Sequence, residues 1–320
     1  MKKICKKYLI VFFLALCPLS GYTCDPTVKQ ICRPHILTTT PAIGASQEFC
    51  FEHQEADIIE TYFKNFETLA KSEQWNQIII QGTSALDVAR KSGRIQDEAK
   101  ICAQLTSTFF YQGNYSQALE YALFCHELSE KLDDHCILLR ALYLESAVYR
   151  ALAGKNIEDE TLFIKAVKIA ENAADIYEKN SVDDICLKGK IYFNWGAAHA
   201  DHPKGDLTQA ARCYIVAIDC FKSISANDDF IRVKIRLGKI YLLQKLYDDS
   251  QRIIDEIRPQ ISTQRIAMQA DYLEAQLKLA IKDIANAKRL ANSGIAKAES
   301  LGAQEDILRF SSLLKAIDQA

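Results

Sequence analysis

The chain has 320 residues, 49% of them hydrophobic, and a formal net charge of −2. That is ample apolar material for a core, and only 12 Gly and 6 Pro argue against an all-β or disordered chain. A slightly acidic balance disfavours nucleic acid as the main ligand.

Lys2, Lys3, Lys6 and Lys7 precede the apolar run Tyr8 to Cys17, and the small residues Ser20, Gly21 and Thr23 come after it. This is the layout of a secretory signal over residues 1–21. The run is far short of the roughly 20 residues a membrane span needs, and no other stretch is uniformly apolar, so no transmembrane helix is expected. A buried N-terminal strand is one alternative, but four lysines beside the run fit export better. Lipidation at Cys17 or Cys24 is another. The preceding Leu-Ala-Leu and Gly-Tyr-Thr lack the small residue usual just before a lipid-bearing cysteine.

Cleavage near Gly21 would move the formal charge to about −6 and leave nine cysteines. An odd number forbids complete pairing within one chain. Cys24, Cys32 and Cys50 lie in a segment where disulfides are expected. Cys102, Cys125, Cys186, Cys213 and Cys220 fall in helical windows and serve as small apolar packing residues. Residues 22–55 carry Pro26, Pro34, Pro41 and the threonine run Thr38 to Thr40 without helical periodicity. They read as an irregular arm, either a tether or a segment packed on the first helical unit.

From residue 56 a pattern recurs. Its clearest copy is Leu237 to Ser250: Gly238 beside a large residue, Tyr241 three positions on, a turn at Lys245-Leu246, then Tyr247 opening a new apolar run. Two antiparallel helices need a small residue where they approach and aromatics to fill the angle between them. Trp75, Tyr115, Phe163, Leu207, Tyr247 and Ile284 mark the residue after each turn, at separations of 40, 48, 44, 40 and 37 residues. Three positions beyond each marker stand Ile78, Ala118, Ala166, Ala210, Ser250 and Ala287. Copies differ: Gly113 to Ala118 and Gly205 to Ala210 are close to the pattern, whereas Asn156 to Thr161 lengthens the third turn. Gln304 to Ala320 is amphipathic, with Ile307, Leu308, Leu313, Leu314 and Ile317 on one side.

These features resemble the tetratricopeptide repeat (TPR) family, whose unit is a helix–turn–helix of roughly 34 residues. The resemblance implies an all-α, right-handed superhelix of about six repeats over residues 56–302, with helices about one turn longer than the minimal unit. Residues 303–320 would form a C-terminal capping helix, since an array exposes an apolar face at its last repeat.

In such arrays the first helix of each repeat lines a concave groove. Aligned on the small residue, the groove-facing set includes Lys100, Ala103, Ser107, Phe110 and Tyr111; Lys190, Phe193, Asn194 and Ala197; and Arg232, Ile235, Arg236 and Lys239. From these, Lys100, Phe110, Tyr111, Lys190, Phe193, Asn194, Arg232, Arg236 and Lys239 form the candidate peptide-binding site. A basic and aromatic groove in an acidic protein favours an acidic peptide or protein segment. Asn194, Arg232 and Arg236 also resemble half of the carboxylate clamp of chaperone-binding TPR modules. The Lys and Asn that would complete it are missing from Arg140 to Arg150. The competing reading pairs these cations with acids on neighbouring helices.

No metalloprotease, phosphate-loop or nucleophile-elbow motif is present, so no enzymatic activity and no cofactor are expected. Cys125-His126 and His135-Cys136 flank one turn. Their spacing fits no common zinc pattern, and neighbouring helical residues point about 100° apart, so packing residues are the default over zinc or a Cys125–Cys136 disulfide. The acidic pairs at Asp133-Asp134, Asp183-Asp184, Asp228-Asp229 and Asp248-Asp249 fall at helix starts or turns, where carboxylates cap exposed N–H groups. The function expected is an exported scaffold binding protein or peptide. A peptide-sensing module acting through a separate output partner is the alternative.

Overall fold

The computed structural model describes residues 45–320 apart from 157, 158 and 181. Among them lie thirteen α-helices and no strand. They run α1 (Ala45–Lys71), α2 (Trp75–Lys91), α3 (Ile95–Tyr111), α4 (Tyr115–Leu132), α5 (His135–Lys155), α6 (Glu160–Lys179) and α7 (Ile185–Asp201), followed by α8 (Leu207–Ser223), α9 (Asn227–Leu243), α10 (Tyr247–Ile257), α11 (Gln264–Ala280), α12 (Ile284–Ser300) and α13 (Gln304–Asp318). The expected signal and most of the arm, including Cys24 and Cys32, lie outside the described residues. Helix α1 begins at Ala45, so the segment expected to be irregular through residue 55 is helical over its last part. No helix among the described residues is long and apolar enough to cross a membrane.

The repeat markers locate the even helices. Trp75, Tyr115, Leu207, Tyr247 and Ile284 are the first residues of α2, α4, α8, α10 and α12, while Phe163 sits one turn inside α6. The positions three residues later are all fully buried, so the small residue is where the two helices of a hairpin meet. Gly238 behaves as its sequence context suggests: a methyl there would lie 2.8 Å from Leu273 Cδ2 and 3.3 Å from Ile253 Cγ2. At the matching place in α5, Ser146 donates to the carbonyl of Ala166 at 2.8 Å, which hides this repeat from a search for glycine.

Most turns use one device. After α1, α2, α3, α8, α9, α11 and α12 a residue with positive φ (Glu73, Gly93, Gly113, Ser225, Lys245, Lys282, Gly302) reverses the chain. The next N–H then reaches back five residues, as in Leu246 N–H to Tyr241 O at 2.8 Å and Asp283 N–H to Lys278 O at 2.8 Å. This left-handed cap satisfies the carbonyls a helix end leaves over and fixes the hairpin angle. Carboxylates start many of the next helices: Asp134, Asp159, Asp184, Asp206 and Asp283 accept from first-turn N–H groups of α5, α6, α7, α8 and α12. Asp228-Asp229 and Asp248-Asp249 occupy the first turns of α9 and α10, where they suit the helix dipole.

Each helix packs on the next, and the odd helices also touch one another: α3 with α5, α5 with α7, α7 with α9, α9 with α11 and α11 with α13. The odd helices therefore make one continuous layer and the even helices the other, so the array curves toward the odd side. Helix α13 covers the end of the array. Phe310 lies against Gly294 and meets Tyr272 edge-on at 5.1 Å, with Leu313 and Ile317 buried beside it. Leu308, expected on the packed side, is exposed, because Phe310 sets the rotation of the helix.

Candidate functional site

The inner surface is built by register. Counting six residues from the N-cap of each odd helix from α3 to α13 gives Lys100, Arg140, Lys190, Arg232, Gln269 and Arg309. Because the helices stack side by side at a common register, five cations form one row along the concave layer. One turn further on stand Ala103, Tyr143, Phe193, Ile235 and Tyr272; Ile235 is buried, and Phe193 and Tyr272 pack on the core beside it.

Some of these cations have acidic neighbours. Arg140 lies 3.5 Å from Asp184, the cap of the following odd helix; Arg232 lies 3.6 Å from Asp229 and Arg309 lies 2.9 Å from Asp306. Lys100 and Lys190 have no carboxylate within ion-pair distance among the described residues, and both are exposed. Tyr143, the nearest strong influence on Lys190, pushes its pKa up, and Asp229 adds to this.

Beneath the row lies a buried charge triad. Asp201, at the end of α7, accepts from Arg150 of α5 at 2.5 Å and from Arg236 of α9 at 3.0 Å. All three side chains are almost wholly buried. One carboxylate thus ties three successive odd helices together and leaves an excess positive charge under the channel floor. Lys239 stands above it. Its side chain is half-buried, within electrostatic reach of Asp201 and Arg236. Burial pushes its pKa down to about 7; the positive charges of Arg236 and Arg309 act the same way, and Asp201 opposes them.

The nine sequence-derived candidates therefore separate into three groups. Lys100, Lys190, Arg232 and Lys239 line the channel. Phe110 and Tyr111 pack on neighbouring rings, Tyr111 stacking on Trp75 at 5.4 Å and Phe110 tilting onto Tyr115 at 5.6 Å. Asn194 is buried and donates to its own helix at Lys190 O, Arg236 belongs to the triad, and Phe193 tilts onto Tyr214 at 6.0 Å. Sequence reasoning misses Arg140, Tyr143, Tyr272 and Arg309, because α5, α11 and α13 lack the large-small-aromatic signature that sets the register elsewhere. The N-caps Asp134 and Thr263 would have supplied it.

The cysteine–histidine pairs do not converge. Cys125 is buried, its thiol donating to Ala99 O at 3.3 Å, while Cys136 is exposed at the start of α5. His126 bonds Glu145 at 2.8 Å, which raises the histidine pKa above its usual value. No group of three or more potential metal ligands occurs among the described residues.

No protein-family model matches the chain, and no curated protein matches it in sequence. Solved structures do share its architecture. One is a Rap protein complexed with competence and sporulation factor, at 12% identity and a TM-score of 0.56, over 82% of this chain and 75% of that one. Another is the apo form of RapI, at 11% identity and a TM-score of 0.54, over 82% of this chain and 97% of that one. At such identities the likeness is one of fold: the chain has a TPR-like helical-repeat fold.

Proposed function

We propose that the chain is an exported, non-enzymatic scaffold that binds an acidic peptide or protein segment in the channel of its helical array. The observation that carries this reading is the row Lys100, Arg140, Lys190, Arg232 and Arg309, set at one register above a positively charged floor. An extended chain laid across the odd helices meets one cation per helix, with Tyr143 beside the row. Export rests on the four lysines and the apolar run before residue 21. No cofactor or nucleic acid enters this reading.

The neighbour solved with competence and sporulation factor favours a second reading at the same surface, in which the bound segment is a signal and the chain passes its occupancy to a separate output partner.

The test is cross-linking and capture from the native compartment, comparing wild type with Lys190→Glu plus Arg232→Glu. Both sites are open to solvent, so circular dichroism should show the variant folded. We expect a specific partner with an acidic segment to be captured by wild type and lost by the variant. Equal capture by both forms would move the binding surface off the channel.

A further inference from the structure

The two ends of the array meet. Arg265, in the first turn of α11, directs one terminal nitrogen at both carboxylate oxygens of Glu73, at 2.9 and 3.1 Å. Glu73 is the positive-φ residue of the turn between α1 and α2, so the contact joins the first hairpin to the sixth. Lys155, at the end of α5, also lies within electrostatic reach of Glu305 in the first turn of α13, which brings the third hairpin toward the C-terminal helix. Deeper in, Arg309 of α13 acts on Lys239 of α9 across Tyr272, over whose ring it sits at 5.6 Å. The circuit of helices from α1 to α11 thus returns to its start at the Glu73–Arg265 ion pair and surrounds the channel.

We propose that the Glu73–Arg265 pair is a clasp that closes the superhelix into a ring, so that the channel accepts a free-ended, unfolded segment and excludes a loop presented by a folded protein. A folded partner cannot bring its bulk inside a closed circuit, whereas a free chain end can enter it and lie along the row. The inference rests on the channel being the binding surface, and it adds the physical form of the partner. Arg265 is largely covered and Glu73 is half-exposed, a setting in which an ion pair is weak. The ring is thus held shut lightly, and added salt loosens it.

The clasp is testable with no partner in hand. The rate at which a bulky water-soluble N-hydroxysuccinimide ester labels Lys239, read by mass spectrometry against the surface residue Lys91, reports access to the channel. Glu73→Arg and Arg265→Glu each place like charges at the contact, and Glu73→Arg plus Arg265→Glu restores opposite ones. We expect each single variant to label Lys239 roughly three- to fivefold faster, in line with the strength of a partly exposed pair. The exchanged pair should return to the wild-type rate, and solution scattering should show a larger radius of gyration for the singles alone. Equal labelling of all four proteins would overturn the clasp, as would faster labelling that the exchanged pair fails to reverse. Because no ligand takes part, that failure would leave the channel-binding reading intact. Loss of the channel reading in the capture experiment would conversely leave the closed ring standing.

Discussion

At the scale of single residues, the buried triad decides what the channel floor is made of. Arg236 reads in sequence as a ligand contact because it lies one turn from Arg232 on the same face. Whether a cation on that face turns outward or inward depends on a partner far along the chain, and Asp201 is visible only once α7 and α9 are side by side. Replacing Asp201 by Ala leaves two buried guanidiniums without their shared carboxylate. It should cost about 3–5 kcal/mol, measured as a fall in the urea midpoint. Arg236→Glu, which sets a second carboxylate against Asp201, is for the same reason a poor probe of binding. Lys239 yields a pH signature. Its native pKa near 7 lies below the ordinary lysine value of about 10.4, so between these the unfolded chain holds more protons and this group's contribution to stability rises with pH. Below pH 7 the ammonium is charged in both states and its burial penalty is complete. Lys239→Met should therefore gain most over wild type below pH 7, and the gain should shrink toward pH 10, as read by denaturant titrations at a series of pH values.

At the scale of helices and turns, what the chain spells out and what it leaves unsaid can be told apart. The even helices announce themselves because a large residue opens each and a small one stands at the hairpin contact. The turns are less consistent in spelling. Gly93, Gly113 and Gly302 supply positive φ as glycine should, but Glu73, Ser225, Lys245 and Lys282 adopt it with side chains attached. The hairpin geometry imposes the conformation there and local propensity yields. Gly113→Ala tests the size of that effect: with φ at +74°, the methyl should lower stability by about 1 kcal/mol, measurable by thermal unfolding. Helix α5 is the hardest to place from sequence because Ser146 stands where α7 and α9 have glycine, and because its 21 residues exceed the 17 of α3, α7, α9 and α11. The start of α1 is obscured for a different reason: the prolines upstream mask the onset of periodicity at residue 45.

At the scale of the whole molecule, the layer of odd helices converts a sequence interval into a surface. Lys100, Lys190 and Arg232 fall at one register position because the small-residue alignment matches the N-caps of α3, α7 and α9. The row is incomplete in sequence because a cation contributes to it only through the stacking of helices tens of residues apart. The closed ring has a consequence for how the molecule loses structure. A linear array of repeats frays from its ends, each terminal unit having a neighbour on one side only. Here the first hairpin leans on α11 through Glu73 and Arg265, so the N-terminal unit has a neighbour on both sides. Amide hydrogen exchange should therefore show α2 and α11 protected to similar degrees, and Arg265→Glu should raise exchange in both at once. Terminal hairpins that exchange independently would mark the array as an open one. A chain that holds its own ends in this way unfolds as a loop rather than as a line, with its weakest point at a seam instead of a tip.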